Sequence, residues 1–236
     1  VVQARAWARE RLANAGIDSV DADVRELLEW ACDASSQWSL PTQLNEEQSD
    51  KLRSGVGERS LRIPLQHVTG RMYFRSLILQ SVPGVFVVRP ETEVLAGLAI
   101  DEAAAAVAAR GEARVVDLCT GSGAIALAVA TESARTEVWA VEKEPDPFAL
   151  ACLNRDRVGA CGLHLVRGDA THPATLGFLD GLVDAGHVGN FTSGRSSMDF
   201  FVLALPKLIC ELFAFCIWLK KKNRMRPMMM KGSSVP

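Results

Sequence analysis

The feature that most constrains this chain is a short unit near its middle, where an apolar run meets a glycine-rich turn and then an alanine-rich run. Residues 115–118 read Val-Val-Asp-Leu, glycines follow at 121 and 123, and residues 124–128 read Ala-Ile-Ala-Leu-Ala. The β-branched run predicts a buried strand, and the alanine-rich run predicts a helix that begins directly after the turn. Such a unit lets the backbone approach a ligand closely and presents free helix N–H groups, so it favours a site for a nucleotide-like ligand.

The pattern around and after this unit alternates between strands and helices. It predicts strands over 114–118, 137–142 and 163–168, separated by helices over 123–133 and 146–158. Strands separated by helices of this length pair in parallel through right-handed crossovers. The sequence therefore predicts an α/β fold with a doubly wound sheet.

Acidic residues and glycines fall at the carboxyl ends of all three predicted strands. Asp117 and the Gly121–Gly123 turn close the first strand, Glu142 ends the second, and Asp169 follows the third. Ligands of doubly wound sheets bind at this edge. The sequence therefore predicts that these residues share one site.

Two classes of ligand fit this site. Glu142 stands about 20 residues beyond Gly121, where a carboxylate accepts ribose hydroxyls, and Asp169 is placed to reach an adenine amino group. The run from Gly121 to Ala126 matches the G-x-G-x-x-A pattern of dinucleotide sites, which favours an NAD-dependent oxidoreductase. An acid ahead of the glycines, as Asp117 is, is instead typical of S-adenosylmethionine sites. Both classes stay open on this pattern alone, and a tight turn without a ligand is the third alternative.

Composition narrows the class of protein further. The chain has 236 residues, 48% of them hydrophobic, and a net charge of −2, so it can bury a core and has no basic excess that would suit nucleic acid. Six cysteines show no CxxC pair, and four of them fall in predicted helices or strands, which favours reduced, buried thiols in a cytoplasmic protein. The four histidines are scattered, so no metal site is expected. The chain begins at Val1 rather than at a methionine and shows no signal-peptide pattern, so the sequence alone does not define the true N-terminus.

The residues before the sheet predict a helical domain and a hairpin. Apolar spacing indicates two helices over 4–31, the second capped by Asp21, and a further capped helix beginning at Asn45. Between residues 62 and 93, Gly70 and Pro83-Gly84 separate two extended runs, which predicts a hairpin. Glu91 and Glu93 then open a helix that continues through Ala109, where their charge suits the helix dipole.

Three segments give the chain a specific resemblance. They are Arg62-Ile-Pro-Leu-Gln-His67, Gly84-Val-Phe-Val-Val-Arg-Pro-Glu-Thr-Glu93 and Val116-Asp-Leu-Cys-Thr-Gly-Ser-Gly-Ala-Ile-Ala126. In order and spacing they resemble the protein-glutamine methyltransferases of the HemK/PrmC family, which modify peptide chain release factors. The Arg-Pro-Glu-Thr-Glu segment discriminates most, because dinucleotide enzymes have no reason to carry it. The resemblance covers about residues 1–184.

The resemblance implies an N-terminal helical domain followed by a Rossmann-like class I methyltransferase domain. Its segments are a helical domain over 1–61 that docks the release factor, a linking hairpin over 62–93 and an S-adenosylmethionine-binding domain over 94–184. It further implies a cytoplasmic, monomeric enzyme with S-adenosyl-L-methionine as its cofactor, without metal, nucleic acid or membrane. By matching position, Cys119, Thr120, Gly121, Ser122 and Gly123 would wrap the methionine part, Glu142 would hold the ribose and Asp169 would lie beside the adenine. Cys119 stands where the commoner residue is glycine, which should narrow the loop.

One motif of the family is missing. The family orients its glutamine substrate with Asn-Pro-Pro-Tyr at the end of the fourth strand, which should follow Asp184. The chain continues Ala-Gly-His-Val-Gly-Asn-Phe-Thr over 185–192, so Asn190 lacks the prolines and the tyrosine and receives no catalytic role. The sequence therefore predicts a form that binds cofactor and has no catalytic residue, and a non-catalytic module that binds release factor is the alternative.

Composition changes at the same point. Of the seven lysines, Lys51 and Lys143 alone precede residue 190, and five of the six methionines follow it. This change predicts that residues 185–236 are a divergent hydrophobic and basic tail, from a frameshift, a retained intron or an alternative ending, which leaves the domain incomplete. Phe200–Leu219 is also apolar enough to suggest a membrane helix, although Lys207 and Glu211 interrupt it.

Overall fold

The computed structural model describes residues 1–172, 174, 175 and 177, together with the backbone of 187–188 and 200–204. The chain divides into two compact units. One comprises Val1–Met72 with Ser81–Pro83, and the other comprises Tyr73–Gln80 with Gly84–Pro236.

The first unit is helical. Its elements are α1 (Val2–Asn14), α2 (Val20–Ala31), a 3₁₀ turn (Gln37–Ser39), α3 (Glu46–Ser60) and α4 (Leu65–Thr69). Its core is formed by apolar side chains from all four helices, among them Leu12, Leu27, Leu28, Leu52, Val56 and Leu65. Gly55 lets α3 approach α2, because a Cβ there would lie 2.9 Å from the Trp30 ring.

Polar contacts fix the ends of these helices. The predicted cap at Asn45 is confirmed: its side chain accepts from the Gln48 N–H, and the Gln48 side chain accepts from the Asn45 N–H. The predicted cap at Asp21 is wrong, because α2 begins one residue earlier at Val20 and its N-cap is Ser19. Asp21 lies in the first turn and pairs instead with Arg9 at 3.1 Å.

The predicted hairpin is present in a shorter form. Its strands are β1 (Arg71–Phe74) and β2 (Leu77–Gln80), whereas residues 65–69 form a helix and residues 84–89 form no strand. The helix forms because Pro64 presets the backbone, and its carbonyl accepts from the N–H groups of His67 and Val68. The prediction of an extended run there was therefore wrong.

The second unit contains a five-stranded sheet in its described part. After α5 (Glu91–Arg110) the elements are β3 (Ala113–Leu118), α6 (Ala124–Glu132), β4 (Thr136–Glu142), α7 (Pro145–Val158), β5 (Leu163–Arg167), β6 (His187–Val188) and β7 (Phe200–Ala204). The strand order is β5-β4-β3-β7-β6, and every pair is parallel. The chain starts at the centre, moves outward to β5 and returns to the other side of β3. This arrangement confirms the predicted Rossmann-like α/β fold and places its switch point beside β3.

Residues of the tail enter this sheet. The strand over 200–204 pairs with β3, so the start of the suggested membrane helix at Phe200 is wrong. Residues 205–219, the rest of that suggestion, lie outside the described residues, as does most of the predicted tail. No helix in the part of the chain that the structure describes is long and apolar enough to cross a membrane.

The cysteines differ from expectation in their burial. Cys32, Cys119 and Cys152 are partly exposed free thiols, and Cys161 is an exposed one. The expectation of burial, made for cysteines inside predicted helices or strands, was wrong for Cys152, which lies in α7 outside the buried set of that helix.

Candidate functional site

The turn between β3 and α6, residues 119–123, which we call the glycine loop, reverses the chain through three left-handed positions. Cys119, Gly121 and Gly123 have φ angles of 62°, 60° and 85°. Such angles are costly for a residue with a side chain, so the two glycines are required and Cys119 is strained. The prediction that Cys119 narrows the loop is untested, but its backbone adopts the conformation that glycine would favour.

The two glycines serve different neighbours. A Cβ built on Gly123 would lie 3.3 Å from Leu127 Cδ1 and 3.4 Å from Ala151 Cβ, so this glycine lets α6 pack against α7. A Cβ built on Gly121 would have no heavy atom of the described residues within 4 Å. The Gly121 side of the loop is therefore open, as a close approach by a ligand requires.

Hydrogen bonds hold the glycine loop to the end of β4 and close the loop on itself. The Thr120 N–H donates to the carbonyl of Val141 at 3.1 Å, and the Gly123 N–H donates to the carbonyl of Thr120 at 3.0 Å. The Ser122 side chain is buried, and its hydroxyl has no partner among the described residues. Ser122 is thus a buried polar group whose hydrogen bond a ligand or a water molecule can supply.

Glu142, at the end of β4, organises the loop through its carboxylate. It is buried, with Oε2 accepting from the Gly121 N–H at 2.8 Å and Oε1 accepting from the N–H groups of Lys143 at 2.9 Å and Glu144 at 3.0 Å. A carboxylate has about four acceptor positions, so three are used here. One acceptor position of Glu142 therefore remains. As long as the three bonds are kept, Glu142 can accept from one ribose hydroxyl and not from both.

Asp169 lies beyond β5 and is bound by its neighbours. Its Oδ1 accepts from the Thr171 hydroxyl at 2.6 Å and from the Thr171 N–H at 2.9 Å, and its Oδ2 lies 3.1 Å from Lys143 Nζ. These contacts, the Thr171 hydroxyl foremost, lower the pKa of Asp169 to about 2. Asp169 is therefore a charged acceptor at neutral pH, with Lys143 beside it.

Asp117 is the most perturbed group of the site. It is 3% exposed, and its Oδ2 accepts from the Thr120 hydroxyl at 2.6 Å. Burial raises the pKa of Asp117 to about 7, and the charge of Glu142 adds to the rise. Burial, followed by the charges of Glu142, Asp117 and Asp169, likewise raises the pKa of Cys119 to about 11, which keeps the thiol neutral and a poor nucleophile.

We expect Asp117 to make the stability of the fold depend on pH. Its folded pKa of about 7 lies above the ordinary value of 3.8, so between these values the folded chain keeps a proton that the unfolded chain loses. The free energy of unfolding should therefore fall as pH rises from about 4 to about 7, by a few kcal/mol, and stay flat above. Urea denaturation of the protein and of Asp117→Asn across this range measures it. The variant, which keeps an acceptor for Thr120, should lack this fall, and parallel profiles for the two proteins would contradict the assignment.

The structure thus brings the predicted residues together. Glu142 bonds to the glycine loop directly, and the charges of Asp117, Glu142 and Asp169 all act on Cys119 within it. Sequence reasoning missed Lys143, Thr171 and Asn154. The amide of Asn154 donates to the carbonyl of Ser122 at 3.0 Å. The sequence feature that could have identified Asn154 is a polar residue on the otherwise apolar, buried face of a helix.

No group of His, Cys, Asp and Glu among the described residues could hold a metal ion.

Comparison with known proteins agrees with the motifs. The strand order and the glycine loop define a Rossmann-like α/β domain that follows a helical domain in the chain. Residues 3–70 match the family model described as PrmC N-terminal domain. The predicted resemblance to the release factor glutamine methyltransferases is confirmed by this match and by the sequence identity to proteins of that name.

The chain is 44% identical over 179 residues to a release factor glutamine methyltransferase of Streptomyces coelicolor, which covers 76% of this chain and 61% of that protein. It is 36% identical over 191 residues to one of Bifidobacterium longum, covering 75% of this chain and 64% of that protein. The chain therefore spans less than two thirds of the length of either relative. The solved O-methyltransferase TomG from Streptomyces achromogenes aligns with a TM-score of 0.39 at 18% identity, over 77% of this chain and 63% of that one.

Proposed function

We propose that the glycine loop of this chain binds S-adenosyl-L-methionine, and that the chain derives from an enzyme that methylates a glutamine side chain in a peptide chain release factor. The observation that carries the proposal is the charge around the loop. Asp117, Glu142 and Asp169 surround it, and Lys143, the basic residue that contacts this group, is paired with Asp169. A sulfonium cation suits such a site.

The same charge argues against a dinucleotide. The pyrophosphate of NAD carries two negative charges and needs the N–H groups of the loop, but the Gly121 N–H already donates to Glu142. Bringing these charges next to Glu142 and Asp169, and next to Asp117 when it is ionised above about pH 7, is unfavourable at short range. Despite the G-x-G-x-x-A pattern, the loop therefore suits S-adenosylmethionine better than NAD.

The residues present fit this cofactor. The open side of Gly121 admits a ligand against the backbone, the remaining acceptor position of Glu142 suits a ribose hydroxyl, and Asp169 suits an adenine amino group. Cys119, Thr120, Ser122 and Gly123 complete the loop that would wrap the methionine part. The cofactor supplies an electrophilic methyl group, and these residues bind it, orient it and exclude water. Acceptor orientation would need residues beyond Asp184.

A binding titration tests the proposal. We expect S-adenosylmethionine and S-adenosylhomocysteine to bind and NADH not to bind, as measured by isothermal titration calorimetry at pH 8. Gly121→Ala should weaken S-adenosylhomocysteine binding by about tenfold, because its methyl group occupies the open side of the loop. The matched control is Gly111→Ala, which also has a positive φ and open space around its Cβ but lies before β3. Binding of NADH alone, or an equal loss of affinity in both variants, would contradict the proposal.

A second candidate function is a non-catalytic module that binds release factor. Two observations favour it: the sequence lacks Asn-Pro-Pro-Tyr after Asp184, and residues 3–70 match the family model described as PrmC N-terminal domain. The helical unit also has a cleft of about 320 Å³ whose lining includes three arginines, Arg5, Arg9 and Arg25, and one acid, Asp21, which pairs with Arg9. Such a cleft suits acidic side chains of a partner protein. Capture of release factor without methyl transfer would distinguish this function.

A further inference from the structure

Asn154 in α7 is a buried amide whose hydrogen bonds connect two distant segments. It is 0% exposed and lies on the same face of the helix as Leu150 and Ala151. Its Oδ1 accepts from the Gln80 N–H at 2.7 Å, and its Nδ2 donates to the carbonyl of Gln80 at 3.2 Å and to that of Ser122 at 3.0 Å. Because the Gln80 N–H requires an oxygen opposite it, the orientation of the amide is fixed by this network.

These bonds fix one peptide group of the glycine loop at both ends. The carbonyl of Ser122 and the N–H of Gly123 belong to the same peptide, and Asn154 holds the first while the carbonyl of Thr120 holds the second at 3.0 Å. A peptide group is planar, so two such bonds set its orientation. Gly123 has a φ of 85° and is the N-cap residue of α6, so the direction of this peptide determines how the loop enters the helix.

The other end of the network is the hairpin. Asn154 bonds the backbone N–H and the backbone carbonyl of Gln80, as a neighbouring strand would, and so holds the end of β2. The turn of the hairpin is held separately: Arg75 donates to both carboxylate oxygens of Glu132, at 2.9 and 2.7 Å, and to the carbonyl of Glu93 at 3.3 Å. Among the described hydrogen bonds, those of Asn154 therefore join the hairpin directly to the glycine loop.

We infer that Asn154 is a positioning residue that keeps the glycine loop in its ligand-binding conformation and couples the order of the loop to that of the Gln80 end of β2. The inference rests on the proposed function, because the ligand of the loop is there taken to be S-adenosylmethionine. A buried amide is costly unless all its partners are present, so Gln80 and the loop are ordered together. Linkage then requires that whatever holds Gln80 against Asn154 also raises the affinity of the loop for its ligand, whereas the turn of the hairpin at Arg75 is held by other partners and can loosen without this effect.

Asn154→Asp tests the inference, with Arg75→Ala as the matched control. The carboxylate introduced by N154D can still accept from the Gln80 N–H, but it places an oxygen against the carbonyl of Ser122. R75A loosens the turn of the same hairpin and touches no atom of the loop in the described contacts. We expect N154D to lower the affinity for S-adenosylhomocysteine by about tenfold and R75A to change it less than twofold.

Two further measurements separate positioning from general loss of structure. Amide exchange at Gly121 and Gly123 without ligand should accelerate in N154D and stay unchanged in R75A. Because a protonated carboxyl can donate to the Ser122 carbonyl, the affinity ratio of N154D to the unmodified chain should recover at pH 5 relative to pH 8. Asn154→Ser, which removes the bonds without adding charge, should lose the same affinity if N154D does not fold.

The outcomes are distinguishable. If N154D and R75A weaken binding and loop protection equally, or if N154D leaves the exchange of Gly123 unchanged, the inference is overturned. If the unmodified chain binds no S-adenosylhomocysteine, the proposed function fails, and the exchange data on the ligand-free chain alone decide whether Asn154 positions the loop.

Discussion

Replacing residues 185–236 with the corresponding segment of the Streptomyces coelicolor relative is expected to raise methyl transfer to a release-factor glutamine at least about 100-fold above that of the unmodified chain. The described residues supply the glycine loop, Asp117, Glu142 and Asp169, all of which lie before residue 185 and form the proposed cofactor site. The resemblance implies that the residues which hold the acceptor glutamine lie after it. The chimaera thus adds the acceptor-binding part to the proposed donor site.

The expected size of the effect follows from the chemistry of the acceptor. An amide nitrogen is a poor nucleophile, because its lone pair is delocalised into the carbonyl, so its rate depends on holding it in line with the methyl group. Small errors of alignment cost about 100-fold in such reactions. Without Asn-Pro-Pro-Tyr the chain has no side chains assigned to that alignment.

Mass spectrometry of the release-factor peptide after incubation with S-adenosylmethionine measures the transfer. The control is the same chimaera with alanine in place of the asparagine of its Asn-Pro-Pro-Tyr motif, which should return to background. Capture of release factor should be equal for the unmodified chain and the chimaera, since both carry residues 3–70. Rapid methylation by the unmodified chain would contradict the role given to the missing motif.

The central elements of the sheet were predictable to within a residue or two. Strands β3 and β4 are apolar runs that include β-branched residues, glycines at 111, 121 and 123 mark the boundaries of β3, and Pro145 marks the start of α7. Helix α4 was missed because Val68 and Thr69 are β-branched, which favoured an extended run, whereas Pro64 and Gly70 set the two ends of a helical turn. Strand β7, Phe-Phe-Val-Leu-Ala, was missed because a short apolar run gives no period that separates strand from helix.

The membership of the site was predictable, but its internal bonds were not. Strand ends in a parallel sheet meet at one edge, which is enough to bring Asp117, Glu142 and Asp169 together. Which N–H groups each carboxylate accepts depends on loop geometry, as in the bond from Gly121 to Glu142 across 21 positions. Asn154 shows the same limit, because its partners lie 74 and 32 positions away and no local pattern encodes them.

Glu142→Ala is expected to have the largest effect of any single substitution in the site, abolishing measurable binding of S-adenosylhomocysteine and lowering the free energy of unfolding by about 2–4 kcal/mol. The buried carboxylate accepts three backbone N–H groups, from Gly121, Lys143 and Glu144. Alanine leaves all three without their acceptor, and hydrogen bonds to a charged group contribute about 1.5–3 kcal/mol each before relaxation and water offset part of the loss. The bond from the Gly121 N–H to Glu142 links the loop to the end of β4, beside the bond from the Thr120 N–H to the Val141 carbonyl, so its loss should loosen the loop as well.

Three variants separate the role of Glu142 from a general effect of charge near the loop. Glu144→Ala removes a neighbouring exposed carboxylate with no cap hydrogen bond, and it should change neither affinity nor stability by more than about 0.5 kcal/mol. Glu142→Gln keeps an acceptor on one side but turns an amide N–H toward a donor on the other, so it should fall between Glu142→Ala and the unmodified chain. Calorimetric titration and urea denaturation at one pH measure both quantities. Glu142→Ala with unchanged affinity would show that the loop is held without this carboxylate, because no other side chain in the described contacts bonds to the Gly121 N–H.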